Sequence, residues 1–322
     1  MEYRKLGRTG LKVSPLCLGA MMFGKRGNTD HADCVRIIHR ALDAGINFID
    51  TANVYSNGES EEIVGKALRG RRDRVILATK VHGKMGKGPN DSGNSRGHIL
   101  REVENCLRRL GTDYIDLYQC HRYDSETPLE ETLVALDDLA RQGKILYAGV
   151  SEWSAAQITH ACDYVRGNGL HPLASNQPYY SLLGRSIEKE VIPVCEREGI
   201  GQVVFSPLAQ GVLTGKYKPG QPLPEGSRAA DPAQNAFLGK DRLDDATLQG
   251  VQKLQPIAES LNLSMAQLAL AWCLRQKNVS SVIIGASRPA QVEDNAGASG
   301  VTLFPETLTA IDEALAGIPP AR

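Results

Sequence analysis

Short apolar runs alternate along this chain with longer amphipathic stretches that open on helix-start residues. Leu16-Cys17-Leu18 comes first, and a helical pattern follows from about Asp30 to Ala44. Ile46 to Asp50 precedes a helical stretch from Ser60 to Leu68, and Arg74 to Val81 precedes another from about Ser95 to Leu110. Tyr114 to Gln119 leads to Thr127-Pro128-Leu129-Glu130, which reads as a capping box with proline at the first helical position. Leu129, Leu133, Leu136 and Leu139 then share one helical face, and Gly143 is a natural stop. Ile145 to Val150 is followed by a second capping box, Ser154 to Gln157. The later runs are Leu173 to Gln177, Gln202 to Phe205 and Ser281 to Ile284. A third capped helix, Ser264 to Arg275, lies before the last run, and Pro305 to Ala316 is an added helix beyond it.

About eight strand–helix alternations result, the number that closes a parallel (β/α)8 barrel. Periodicity alone leaves an open doubly wound sheet as the alternative. One segment breaks the rhythm. Leu208 to Lys240 is rich in Gly, Pro, Ser and Ala and too long for an ordinary connection, so it is expected to be a functional lid.

A length of 322 residues suits two average domains or one barrel, and only the repeat pattern favours the barrel. With 42% hydrophobic and 23% charged residues, a wholly disordered or fibrous chain is excluded. Lys plus Arg and Asp plus Glu both number 37, so the net charge is zero. That argues against a dedicated nucleic-acid binder and leaves room for a local basic site. Seven cysteines, none in a Cys-x-x-Cys pair or at zinc spacing with histidine, read as reduced thiols of a cytoplasmic protein, with no metal site. The N-terminal residues lack the apolar core of a signal peptide, and no apolar stretch reaches membrane-spanning length, so no membrane partner is expected.

Several catalytic signatures are missing. No Gly-x-Gly-x-x-Gly follows an early strand, and Gly211 to Tyr217 misses the P-loop both in spacing and in the residue after Lys216. Gly149 to Trp153 and Gly285 to Pro289 lack the second glycine of a nucleophile elbow, and no His-Glu-x-x-His is present. The positive signal is one of placement. Asp50, Lys80 and His121 fall at or just beyond the C-terminal ends of three expected strands, with Tyr55 in the loop after the first. In a barrel those ends converge on one mouth. Taken singly, they read as a turn cap, a surface charge, a rim histidine and a packing aromatic; together they point to a catalytic group.

The residues around them resemble a known family. Asp50-Thr51-Ala52-Asn53-Val54-Tyr55, Ala78-Thr79-Lys80 and Leu117-Tyr118-Gln119-Cys120-His121 are similar to the tetrad-bearing motifs of the aldo-keto reductases. Ala174-Ser175-Asn176-Gln177, Phe205-Ser206-Pro207-Leu208 and Ile284-Gly285-Ala286-Ser287 resemble that family's cofactor motifs, in its order. The likeness runs from Arg4 to about Ala298. Leu268 to Arg275 with Val279 to Val282 looks closest to the branch of voltage-gated potassium-channel β subunits and their bacterial relatives. The resemblance implies one (β/α)8 TIM barrel over residues 1–322, with an N-terminal β-hairpin, a long lid after strand 7 and an added C-terminal helix. It also implies NADPH-dependent reduction of a small aldehyde or ketone. Tyr55 is then the general acid, Lys80 lowers the phenol's pKa, Asp50 holds Lys80, and His121 orients the carbonyl oxygen.

On the same footing, Gly19, Ala20, Met21 and Asp50 border the cofactor. Ser151, Asn176 and Gln177 are expected to bond the nicotinamide carboxamide, with Phe205 stacked on the ring. Ser206, Pro207, Leu208, Gln210 and Gly211 would follow the pyrophosphate. Lys216, Gly285, Ser287, Arg288, Gln291, Asp294 and Asn295 fall on the adenosine side, with Arg228 a further phosphate ligand. The three cations Lys216, Arg228 and Arg288 suit the 2′-phosphate of NADP(H). Related channel subunits carry Glu where this chain has Asp294, a shorter reach to adenine. The short stretch Gly317 to Arg322 cannot roof the pocket, so Met22, Tyr55, His121, Tyr123 and Trp153 are its expected walls, with Met21 and the 208–240 segment. A homo-oligomer is left open. The rival reading is an NADP-binding regulatory subunit with little turnover, whose channel-β relatives include forms with Asn in place of His121.

Overall fold

The computed structural model describes residues 1–318 apart from 233, 236, 237 and 239–241. Two short antiparallel strands, β1 (Arg4–Lys5) and β2 (Lys12–Val13), form the N-terminal hairpin. Eight further strands follow: β3 (Leu16–Gly19), β4 (Phe48–Asp50), β5 (Ile76–Val81), β6 (Ile115–Cys120), β7 (Ile145–Ser151), β8 (Leu173–Gln177), β9 (Gly201–Val204) and β10 (Val279–Ile284). Each pairs in parallel with the next, and β10 pairs with both β9 and β3, which closes the barrel. The open-sheet alternative is thereby removed. The runs read as strands from the sequence are the barrel staves, shifted by no more than a few residues.

Alternation along the staves builds two cores. Facing inward, Cys17, Phe48, Ala78, Leu117, Ala174 and Val203 pack together with Leu6 and Val13 of the hairpin, which plugs the floor. Burying Leu6 or Val13 there contributes about 1.5–3 kcal/mol each. Facing outward, the strands pack on the helical ring. The ring comprises α1 (His31–Asp43), α2 (Glu59–Leu68), α3 (Arg96–Leu110), α4 (Leu129–Arg141), α5 (Ala155–Gly167) and α6 (Val191–Glu198), then α7 (Asp245–Lys253), α8 (Gln255–Ser260), α9 (Met265–Leu274), α10 (Pro289–Ala296) and α11 (Pro305–Ala314). The added terminal helix is therefore α11, two residues shorter than its pattern suggests.

Several helix starts follow local chemistry. Asp30, Ser95, Ser154 and Ser264 each cap a helix, and the Ser154–Gln157 and Ser264–Gln267 boxes are both formed. The box expected at Thr127 does not form. Pro128 is itself the N-cap, in extended conformation, and no side chain caps α4. The Thr127 hydroxyl donates instead to Asp124 Oδ2 at 2.7 Å, and the same oxygen accepts from the Asn94 amide at 2.8 Å. A local carboxylate that fixes the loop has outcompeted the helix end.

The lid segment leaves β9 through a 3-10 turn, Ala209–Thr214, kinked by positive φ at Gln210 and Gly211, and makes a second short turn at Arg228–Ala230. Residues 233, 236, 237, 239 and 240 of the expected lid, and 319–322 of the terminal stretch, lie outside the described residues. Among the described residues no single helix is long and apolar enough to cross a membrane, and no group of three or more His, Cys, Asp or Glu could hold a metal.

Candidate active site

Asp50 ends β4, Lys80 is the penultimate residue of β5 and His121 directly follows β6, so three adjacent staves deliver them to one rim. Tyr55 opens a short 3-10 turn after β4. Lys80 is fully buried; its ammonium donates to Asp50 Oδ1 and, at 2.8 Å, to the Thr51 carbonyl. Its Nζ stands 5.1 Å from the centroid of the Tyr55 ring. The Tyr55 and His121 rings meet edge to face with centroids 5.6 Å apart. The four residues form one cluster.

Burial and charge set their protonation states. Burial opposes the Lys80 ammonium most strongly, but Asp50, Tyr55 and Cys17 together more than offset it, and the pKa is raised. Lys80 therefore stays charged at neutral pH. Burial pushes the Tyr55 phenol above its ordinary value; Lys80 pulls it down by less. The expected direction of Lys80's pull is right, and the expected net acidification is not, because desolvation is the larger effect. His121 lies well below the ordinary histidine range, first through burial and then through Lys80, Arg122, His82 and Arg26. Its imidazole is neutral around pH 7.

Sequence reasoning does not single out Gln119, yet the structure places it in the cluster. It is fully buried, and its Nε2 donates to Asp50 Oδ2 at 3.1 Å; Gln177 Nε2 donates to the same oxygen at 2.9 Å. The signal that finds it is the period-two row Leu117, Gln119, His121, which puts its side chain on the His121 face of β6.

Backbone conformation marks the same end of the barrel. Among the described residues, Ser56, Asn57, His82, Glu152, Ser206, Ala209, Gln210 and Asn262 are the non-glycine residues with positive φ. All but Asn262 lie in loops that follow barrel strands. Left-handed conformations at residues with side chains cost about 1–3 kcal/mol each and gather where function requires a particular loop path.

The expected cofactor residues come from β3, β7 and β8 and from the stretches that follow β9 and β10. Ser151 and Gln177 are buried and joined, Ser151 Oγ donating to the Gln177 carbonyl at 2.9 Å. Asn176 is fully buried, with its Nδ2 on Gln202 Oε1 at 3.3 Å and its Oδ1 without a partner. Phe205 is half-buried, its ring 5.8 Å from that of Tyr179. Ser206 Oγ accepts from Gln210 Nε2 at 2.6 Å, and Gln210 Oε1 accepts from Arg228. Pro207 is buried beneath this turn and Leu208 half-buried. Arg228 is half-buried, its guanidinium pKa is lowered by burial, and no carboxylate is among the groups acting on it. Lys216 packs over Gly211, where a Cβ would meet its Nζ at 3.2 Å. Gly19, Ala20 and Met21 lie at the end of β3, and Gly19 has no room for a side chain, since a Cβ would meet Ile283 at 2.6 Å.

The group is not uniformly assembled. Arg288 is exposed at the N-cap of α10, on the loop after β10, and Gly285 and Ser287 are exposed beside it. The Ser287 amide and hydroxyl both donate to Gln291 Oε1, at 2.7 and 3.1 Å. Asn295 is buried. Asp294 is turned to α9, where it accepts from Ser264 Oγ at 3.0 Å and Gln267 Nε2 at 3.1 Å. On the substrate side, Trp153 is buried with an unpartnered Nε1 and meets Tyr123 edge to face at 5.0 Å; Met21 and Met22 are half-buried. A cavity of about 740 Å³ flanks the Tyr55 loop, lined by Lys25, Arg26, Val54, Ser56 and Asn57 among others.

Comparison with known proteins agrees with the barrel fold. The model of the Aldo/keto reductase family matches residues 15–316. A "Probable voltage-gated potassium channel subunit beta" of Oryza sativa subsp. japonica is 43% identical over 97% of this chain and 96% of its own length. A protein of the same description from Arabidopsis thaliana is 41% identical, over 99% and 98%. The "L-glyceraldehyde 3-phosphate reductase" of Escherichia coli (strain K12) is 36% identical, over 98% and 93%.

Proposed function

The chain belongs to the aldo/keto reductase family, and from that premise we propose that it reduces an aldehyde or ketone to the alcohol, with NADPH as the hydride donor. The observation that carries the reading is the buried Asp50–Lys80 pair set beneath the Tyr55 ring, with His121 at its edge. Bound NADPH supplies the hydride. The chain's own residues handle the proton and the oxygen. Tyr55, kept protonated by burial, donates its phenolic proton to the carbonyl oxygen as negative charge develops there. Lys80 offsets the charge left on the phenolate, and Asp50 keeps Lys80 in place. Neutral His121 donates to the same oxygen and fixes its direction.

The cofactor side fits a dinucleotide. Asn176 Oδ1, buried without a partner, suits the amide protons of a carboxamide, with Ser151 and Gln177 beside it and Phe205 offering its ring face. Arg228, half-buried with no acid paired to it among the described residues, and Lys216 above Gly211 suit phosphate oxygens, and Arg288 is the candidate for the 2′-phosphate that separates NADP from NAD. The reading treats residues 1–322 as one cytoplasmic domain with a small carbonyl substrate and no nucleic-acid or membrane partner. Homo-oligomerisation is compatible with it.

The relatives' names support two roles, reductase and channel subunit. An intact tetrad, including the histidine, favours turnover. Absorbance-monitored NADPH oxidation with a panel of aldehydes, phosphorylated aldehydes, ketones and quinones tests the choice. The reading expects turnover with at least one class. Tight NADPH binding with no turnover across the panel would replace it with the regulatory one.

A further inference from the structure

Asp50 has two oxygens, and its partners divide between them. Oδ1 receives the Lys80 ammonium; Oδ2 receives two neutral amides, Gln119 and Gln177. The amides also meet each other, Gln177 Nε2 lying 3.3 Å from Gln119 Oε1. This arrangement fixes their orientation. Turning over the Gln119 amide would set its carbonyl oxygen against the Asp50 carboxylate and its NH₂ against that of Gln177, losing both bonds. Packing is close: a Cβ on Gly149, opposite Gln119, would meet Ser175 Oγ at 2.4 Å and press on Gln119 Cγ at 3.1 Å. Both glutamines are buried, and β5 and β6 pair Lys80 with Gln119 directly.

We propose that Gln119 is a positioning residue for the reduction, acting through Asp50. With Gln177 it forms a two-amide clamp that aims one carboxylate oxygen at Lys80 and draws part of the negative charge to the other. The effect passes along a short chain. A carboxylate whose charge is shared with two donors grips its ammonium less completely, and more of the Lys80 field reaches Tyr55. Removal of the Gln119 amide concentrates charge on Asp50, raises the affinities of Lys80 and Tyr55 for their protons, and makes the phenol a poorer donor. Gln177 gives the clamp a second connection. Its Nε2 holds Asp50 while its side-chain Oε1 is left for the proposed carboxamide seat, so the clamp spans the proton-transfer and cofactor sides of the mouth.

The inference rests on the reductase reading and is tested by two isosteric variants. In Gln119→Met, which keeps the volume and removes the donor, kcat is expected to fall about tenfold. The alkaline limb of its pH profile should move up by about half a pH unit, with NADPH affinity by fluorescence titration unchanged. In Gln119→Glu the introduced carboxyl can donate to Asp50 only while protonated. Activity should approach the wild-type level at low pH and collapse as pH rises through that carboxyl's elevated pKa, a behaviour that mere loss of packing does not produce. Ring-carbon NMR of Tyr55, assigned with Tyr55→Phe, reads the same shift without turnover. An upward shift of the Tyr55 titration in Gln119→Met supports the clamp even if no carbonyl in the panel is reduced. An unshifted titration, or wild-type pH profiles in both variants of an active enzyme, overturns it and leaves the reductase reading standing.

Discussion

On the β4–β6 side of the mouth, both oxygens of Asp50 are occupied by donors from the protein, and Lys80 is enclosed by the groups that hold it. On the β8–β9 side, among the described residues, Arg228 donates to the neutral Gln210, Asn176 Oδ1 has no partner, and the turn at 206–211 runs through left-handed backbone. The Asp50 carboxylate is completely satisfied from within the protein, whereas Arg228 and Asn176 keep capacity for the proposed dinucleotide. The difference separates two kinds of preorganisation. On the proposed reading, the proton-handling groups keep their geometry whether or not a ligand is bound, and the cofactor groups need only be desolvated and aimed.

Removing a member of the complete side should therefore damage the protein as well as the reaction. Lys80→Met leaves Asp50 as a buried charge without its counter-ion, which costs about 3–5 kcal/mol of stability. It should also lower turnover by about 10³-fold. Chemical denaturation and steady-state kinetics read the two effects. A variant of wild-type stability would mean that Asp50 had taken up a proton cheaply and that the pair is less tightly coupled than its geometry indicates.

The incomplete side should respond differently. Arg228→Ala removes a desolvated cation with no acid left behind, so stability should hold or rise, while NADPH affinity weakens by about 10- to 100-fold. At saturating cofactor kcat should be unchanged. Loss of stability without loss of affinity would place Arg228 in the frame of the lid rather than in a ligand site.

The smallest effect expected is in the pH profile. With its pKa held well below the usual value by burial and nearby cations, the His121 imidazole takes up its proton only in acid well below the ordinary value of about 6.5. Turnover should show no step near that pH. Wild type and His121→Asn should have profiles of the same shape there and of different height. A step present in wild type and absent from the variant would show that His121 titrates in the ordinary range.

Most of the frame was legible because a strand's alternation and a helix's cap are local. The runs at Leu16 and Leu173 and the boxes at Ser154 and Ser264 lie where the pattern puts them, and those expected from Arg74 and Tyr114 begin one or two residues later, at Ile76 and Ile115. Thr127 fails for a tertiary reason, since Asp124 binds its hydroxyl from within a loop that also ties down Asn94. Asp50, Lys80 and His121 were legible as strand-end residues, and Tyr55 as a residue of the loop after the first of those strands. The net direction of the Tyr55 pKa was not, because the balance of burial against one ammonium depends on depth. Gln119 was hidden for a related reason. A glutamine inside a strand reads as ordinary polarity until the closed barrel turns it toward Asp50.

The central claim is that Tyr55 delivers the proton, and Tyr55→Phe tests it most directly because the substitution keeps the ring that Lys80 and His121 face. NADPH binding by fluorescence titration and reduction of the best substrate should be measured on the same preparation. The account expects nearly unaltered cofactor affinity together with turnover reduced by about 10²- to 10⁴-fold. Full activity in that variant would contradict it.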